Sequence, residues 1–88
     1  MAASAFPYDL VLVEWVDACR LNNSWIDVSE VPEPYQHKCV SVGFLFSENE
    51  HGLVVVPTIG DTAHPDNSHT YGGMMIPASA VIRRKKLR

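Results

Sequence analysis

Between His37 and Ile59 hydrophobic and polar positions alternate more regularly than anywhere else in the chain. Val40, Val42, Phe44 and Phe46 fall two apart, the period of a pleated strand with one face buried. The positions between them, Cys39, Ser41, Gly43 and Leu45, are smaller and more polar, so the Val/Phe set is expected to face the core. Leu53 to Val56 is a second, wholly apolar run rich in β-branched residues, and the polar stretch between the runs ends in Gly52. The two runs predict a β-hairpin whose loop is somewhat longer than the tightest type.

Weaker patterns flank this hairpin. Val11, Val13 and Trp15 alternate, predicting a first strand that bends or ends near Asp17. Val11, Trp15, Ala18 and Cys19 also make a helical stripe, which leaves its second half open. Asn22-Asn23-Ser24, with Asp27 three residues after Ser24, reads as a turn or helix entry. A short helical turn carrying Trp25, Ile26 and Val28 is expected there, covering one end of the domain. Val31-Pro32-Glu33-Pro34-Tyr35 cannot continue a helix, because each proline biases its predecessor toward an extended conformation. After Ile59, residues 60–73 form a polar loop too long for a routine hairpin connection, and loops of that length are usually functional or mobile. Met74-Met75-Ile76 resumes a strand with one methionine inward and one outward. Pro77 to Ala80 makes a single turn, and Val81-Ile82 opens the last strand, with Leu87 a late apolar anchor. Residues 1–8 are expected to fray.

The expected fold is mostly β: a single domain over residues 1–88 built as a small five-stranded, partly closed barrel with one short helical turn. Closing the sheet removes exposed edges, the usual solution at this size. With 47% hydrophobic and 19% charged residues in 88, the chain is globular and near the lower limit for a self-sufficient core. Such cores supply only about 3–5 kcal/mol, so a homo-oligomer is expected. Trp15 is expected inside and Trp25 half-covered.

Charge is unevenly placed. Residues 1–82 hold all ten acidic side chains and only Arg20 and Lys38 among the basic ones, whereas 83–88 hold five basic residues. The tail reads first as a solvated last strand compensating the acidic body, and second as a polyanion-binding element. Cys19 and Cys39 lie in apolar contexts without Cys-x-x-Cys spacing, which predicts buried thiols. Met1 to Pro7 has neither a basic start nor an apolar segment, and no run is long enough to cross a bilayer. No signal peptide and no membrane partner are expected, and the expected location is cytoplasmic.

The long loop carries the candidate chemistry. His64, Asp66 and His69, with His51 in the preceding turn, contain metal-ligating types, but His-x-Asp-x-x-His matches no metal motif. No nucleophile elbow, P-loop or His-Glu-x-x-His is present, so neither enzymatic activity nor a cofactor is expected. Binding fits better. His64, Asn67 and His69 offer hydrogen bonds, and Tyr71 offers a ring for stacking. Gly72-Gly73 lets backbone N–H groups approach a ligand, or simply allows a turn.

Val13-Glu-Trp-Val-Asp-Ala18, Ser41-Val-Gly-Phe-Leu45 and Ile76-Pro-x-x-x-Val-Ile82 with Leu87 together resemble a group of small phage-encoded proteins. The last segment also looks like the final strands of Sm-like or SH3-like barrels. The resemblance covers most of residues 10–87 through short motifs, leaving residues 60–73 and the basic end unmatched. The resemblance implies a phage-type protein, chain size an oligomer, and the polar Gly-ended loop a ligand contact, so the expected function is counter-defence binding that sequesters a small nucleotide-derived signalling ligand in pockets between subunits. Tyr71 would stack, His69 and Asn67 would hydrogen-bond, and Arg83 or Arg84 would reach a phosphate from an adjacent subunit. The alternative is a nucleic-acid-binding or host-protein-blocking module acting through the tail or an apolar patch.

Overall fold

A computed structural model of the chain describes residues 7–21, 24–64, 66 and 68–88. The expectations for Asn22-Asn23 and for Asn67 lie outside the described residues. The strands are β1 (Leu10–Asp17), β2 (His37–Asn49), β3 (Gly52–Val56), β4 (Thr58–Gly60), β5 (His69–Tyr71), β6 (Met74–Pro77) and β7 (Val81–Lys86). Five of them form one antiparallel sheet in the order β6-β3-β2-β1-β7, and β4 and β5 pair separately as a two-stranded ribbon. Single 3-10 turns cover Val28–Glu30 and Ala78–Ala80. Among the described residues no helix is long and apolar enough to cross a membrane.

The mostly β fold, the central hairpin, the end of β1 at Asp17 and the turn before the last strand agree with the sequence reading. The buried face of β2 does not. Val40 is 62% and Val42 52% exposed, and Phe46 is exposed too. The core is instead built from Val11, Val13 and Trp15 of β1, Leu53 and Val55 of β3 and Ile76 of β6, with Cys39 and Leu45 packed against it. The smaller face of β2 turns inward because two of its members fit there and larger ones would not. A Cβ on Gly43 would lie 2.6 Å from Val55 Cγ1 and 2.9 Å from the Val56 carbonyl oxygen, so only glycine lets β3 come this close. Ser41 is satisfied indoors because its Oγ accepts the Trp15 Nε1–H at 3.0 Å.

Register slips at two places bend the sheet. One lies between Leu45 and Ser47 on β2, the other between Glu14 and Trp15 on β1 where it meets β7. Bulges of this kind increase local twist and change which side chains share a face. Beyond the first slip Glu48 sits opposite buried Leu53, and Arg84 sits opposite buried Val13. Both therefore lean over the core, where Arg84 donates to both Glu48 oxygens at 2.6 and 3.2 Å. This two-pronged pair joins strands that are not neighbours in the sheet. The tail is thus a last strand, three of whose five basic side chains meet the acidic body: besides Arg84, Arg83 pairs with Glu14 at 2.7 Å and Lys86 with Asp9 at 3.4 Å.

Four local expectations are corrected. The β2–β3 loop is the tightest type, with only Glu50 and His51 between strands, and Asn49 Oδ1 accepts the His51 N–H at 2.8 Å. The helical turn begins later than expected: Asp27, not Ser24, is its cap, accepting from Ser29 N–H at 2.9 Å. It covers nothing, since Trp25 is fully exposed and Val28 87% exposed. Cys19 is exposed and only Cys39 is partly covered. Both methionines of β6 are exposed, and the buried residue of that strand is Ile76.

Ile76 is fully buried, and truncating it to alanine should cost about 2–5 kcal/mol. Because a domain of this size has little more than that in total, urea denaturation of Ile76→Ala should show a largely unfolded chain in buffer. Gly43→Ala should also lower the midpoint clearly.

Candidate functional site

The β4–β5 ribbon starts one residue after β3 and returns into β6. Its register, Thr58 opposite Tyr71, Ile59 opposite Thr70 and Gly60 opposite His69, is reinforced by the Thr70 hydroxyl donating to the Thr58 carbonyl at 2.7 Å. Gly72 exits it with φ of +77°, a left-handed conformation favouring glycine, and a Cβ on Gly73 would press to 3.1 Å from Val56 Cγ1. Gly72 thus has a conformational reason to be glycine and Gly73 a packing one.

A pocket of about 270 Å³ opens between this ribbon and the start of β1. Pro7, Tyr8 and Phe46 line one side, and Ile59, Thr62, Ser68, His69 and Thr70 the other. The Tyr8 and Phe46 rings stack with centroids 5.2 Å apart and 21° between planes. Phe46 reaches the pocket because it occupies the register slip of β2. The cleft is therefore aromatic on one side, while the ribbon contributes an imidazole and three hydroxyl-bearing residues. Ser68 Oγ donates to the Asp61 carbonyl at 3.1 Å, so that hydroxyl has a structural task as well.

The structure distributes the expected site residues over four places. His69 lines the pocket. His64 sits at the ribbon tip, its Nδ1 2.8 Å from Asp61 Oδ1. Tyr71 is 85% exposed and lies outside the pocket lining, as do Gly72 and Gly73. Arg83 and Arg84 are held by Glu14 and Glu48 on the sheet, so within one chain they are not part of the loop cluster. No group of three or more metal-ligating side chains gathers among the described residues. Tyr8 and Phe46 were missed as site residues. Phe46 is in phase with Val40 and Val42 and reads as core, and Tyr8 is the last residue of the terminus expected to fray. The one usable signal was an apolar segment, Pro7-Tyr8, immediately before a strand.

A second surface lies at the other end of β1. The connection from Asp17 to His37 is exposed along its described length apart from a partly covered Ile26. Cys19 Sγ lies 3.6 Å from the Tyr35 hydroxyl, and this hydrogen bond, with the charge beside it, raises the Tyr35 pKa above its ordinary value. The radius of gyration is 17.3 Å, against about 12 Å for a compact chain of this length.

No protein family, curated protein or solved structure matches the chain.

One titration checks the connection. The backbone N–H of Ser29, then its hydroxyl, holds the Asp27 carboxyl below its ordinary value of 3.8. The cap is therefore intact above that value and is lost as pH falls through the lower folded-state pKa. In an NMR pH titration the Ser29 amide should shift with a midpoint below 3.8, and Asp27→Asn should flatten that step.

Proposed function

We propose that this chain is a non-enzymatic binding protein of phage type that sequesters a small nucleotide-derived ligand, working in the cytoplasm of a host cell. The observation that carries the proposal is the pocket between the stacked Tyr8–Phe46 pair and the ribbon edge of His69 and Thr70. A base or similar ring gains from an aromatic platform whatever its identity, and polar groups at the rim then set its orientation. At about 270 Å³ the pocket is slightly smaller than sites that engulf a drug-sized ligand. A second subunit covering its mouth would complete the enclosure. Tyr71 and one of Arg83 or Arg84 enter the reading only in such a shared site. Capture without turnover needs no activated nucleophile, and the hydroxyls of Ser68 and Thr70 are already committed to backbone carbonyls.

The proposed architecture behind this function is a small barrel of Sm-like or SH3-like type. What supports it is the last strand returning to β1 after a 3-10 turn, together with the Arg84–Glu48 pair spanning the core. Nucleic-acid binding through the tail is less well served, since Arg83, Arg84 and Lys86 already face carboxylates of the same chain.

Native mass spectrometry of protein purified from infected or defence-expressing cells tests the reading. The expected result is an oligomer carrying extra mass of nucleotide size. Phe46→Ala should weaken its capture by about 1–3 kcal/mol, roughly 5- to 150-fold, while His69→Ala should weaken it with the fold intact. A ligand-free protein that binds oligonucleotides with a steep salt dependence would instead favour the tail, and a co-purifying host protein would favour a blocking role.

A further inference from the structure

Residues 24–36 carry four large apolar side chains, Trp25, Val28, Val31 and Tyr35, all exposed, and the 3-10 turn among them buries none of its residues. The same segment holds Asp27, Glu30 and Glu33 and no basic residue. The surface complementary to such an arm is apolar and basic.

The outer face of the sheet has that character. Val11, Val13 and Trp15 point inward, so Leu12 and Val16 point outward with the residues opposite them: Val42 and Lys85 flank Leu12, and Lys38 sits opposite Val16. Val40 and Val42 are largely in solvent. Lys38 and Lys85 make no ion pair among the described residues, whereas Arg83 on the same face is neutralised by Glu14. The face is thus an apolar stripe with uncompensated positive charge at its margins.

We propose that residues 24–36 of one copy dock on the outer sheet face of a second copy, reciprocally, so that Trp25, Val28, Val31 and Tyr35 cover Leu12, Val40 and Val42 while Glu30 and Glu33 meet Lys38 and Lys85. The arm leaves the sheet at Asp17 and re-enters it at His37, next to Lys38 and Val16, so it starts at the edge of the face it would cover on its partner. The area is sufficient. Burying one Trp and one Tyr per arm removes about 300–500 Å². Two arms and the faces beneath them therefore bury on the order of 1,200–2,000 Å², the range of stable interfaces. This pairing does not depend on the ligand reading, because no pocket residue takes part in it.

Sedimentation equilibrium of the full chain, read together with tryptophan fluorescence, tests it. Trp25 emission should move to shorter wavelength as the dimer forms with rising concentration, while Trp15 is buried throughout. Trp25→Asp, at a fully exposed position, should weaken association by about tenfold or more with an unchanged far-ultraviolet spectrum. Lys38→Glu with Lys85→Glu should do the same, and adding Glu30→Lys with Glu33→Lys should restore pairing. A chain that stays monomeric at high micromolar concentration overturns the proposal. So does an oligomer in which Trp25 remains open to a soluble quencher and Trp25→Asp changes nothing. Ligand capture by such an oligomer, or by a monomer, would leave the pocket standing while the arm falls.

Discussion

The close approach of β3 to β2 at Gly43 is the constraint on which the rest of the sheet depends. Val55 Cγ1 and the Val56 carbonyl occupy the space a side chain would need. With the backbones that near, the inner face of β2 has no room for a large residue at Gly43, and most of the volume of the core is supplied from the neighbouring strands by Trp15, Leu53, Val55 and Ile76. Trp15 in turn gives Ser41 its hydrogen bond, so a polar residue on the inner face carries no unsatisfied group. Gly52 plays a related role at the hairpin end. Its φ of +153° and the proximity of the Ile76 carbonyl leave no room for a Cβ, which lets β6 pair tightly with β3.

Element positions were legible in the chain because they depend on local period and on turn residues, and both are strong here. Val11-Val13-Trp15, the two runs of the central hairpin and the Ile76-Pro77 ending each declare themselves within a few residues. Which face of β2 is buried was not legible, because alternation gives two faces and does not rank them. Hydrophobicity ranked them wrongly: the stripe Val40, Val42, Phe44, Phe46 is more apolar, but packing was decided by size at Gly43 and Ser41, a tertiary matter. The ribbon was hidden for the opposite reason. Each of its strands is three residues long, too short for period to register, and what defines it is pairing across the loop between Thr58 and Tyr71. The pocket suffered the same fate, since Tyr8 and Phe46 stack from positions 38 residues apart in sequence, and neither names the other.

The inverted face also changes how the apolar content of the chain is understood. Seven hydrophobic side chains are buried among the described residues, while thirteen large ones are exposed. A core that small leaves little margin against chain entropy. Exposed stripes that are contiguous, rather than scattered, are unusual in a monomer. Exposed apolar residues gather on β2 and the segment 24–36, beside half-buried Leu12 of β1, and these are the surfaces that the proposed pairing of two copies would cover.

The two surfaces lie at opposite ends of β1, whose eight residues span roughly 25 Å. The pocket gathers around its start, through Tyr8 and the ribbon, and the arm leaves from its finish at Asp17. The outer face of the sheet runs between them, from the Val16–Lys38 pair to the Leu10–Phe44 pair two residues from Phe46. Whatever covers that face must therefore border the pocket. An arm lying along it would bring a second chain close to the open mouth beside Phe46 and Tyr8. Association and ligand enclosure would then be adjacent on one surface while using different residues, so each can be disturbed without removing the other.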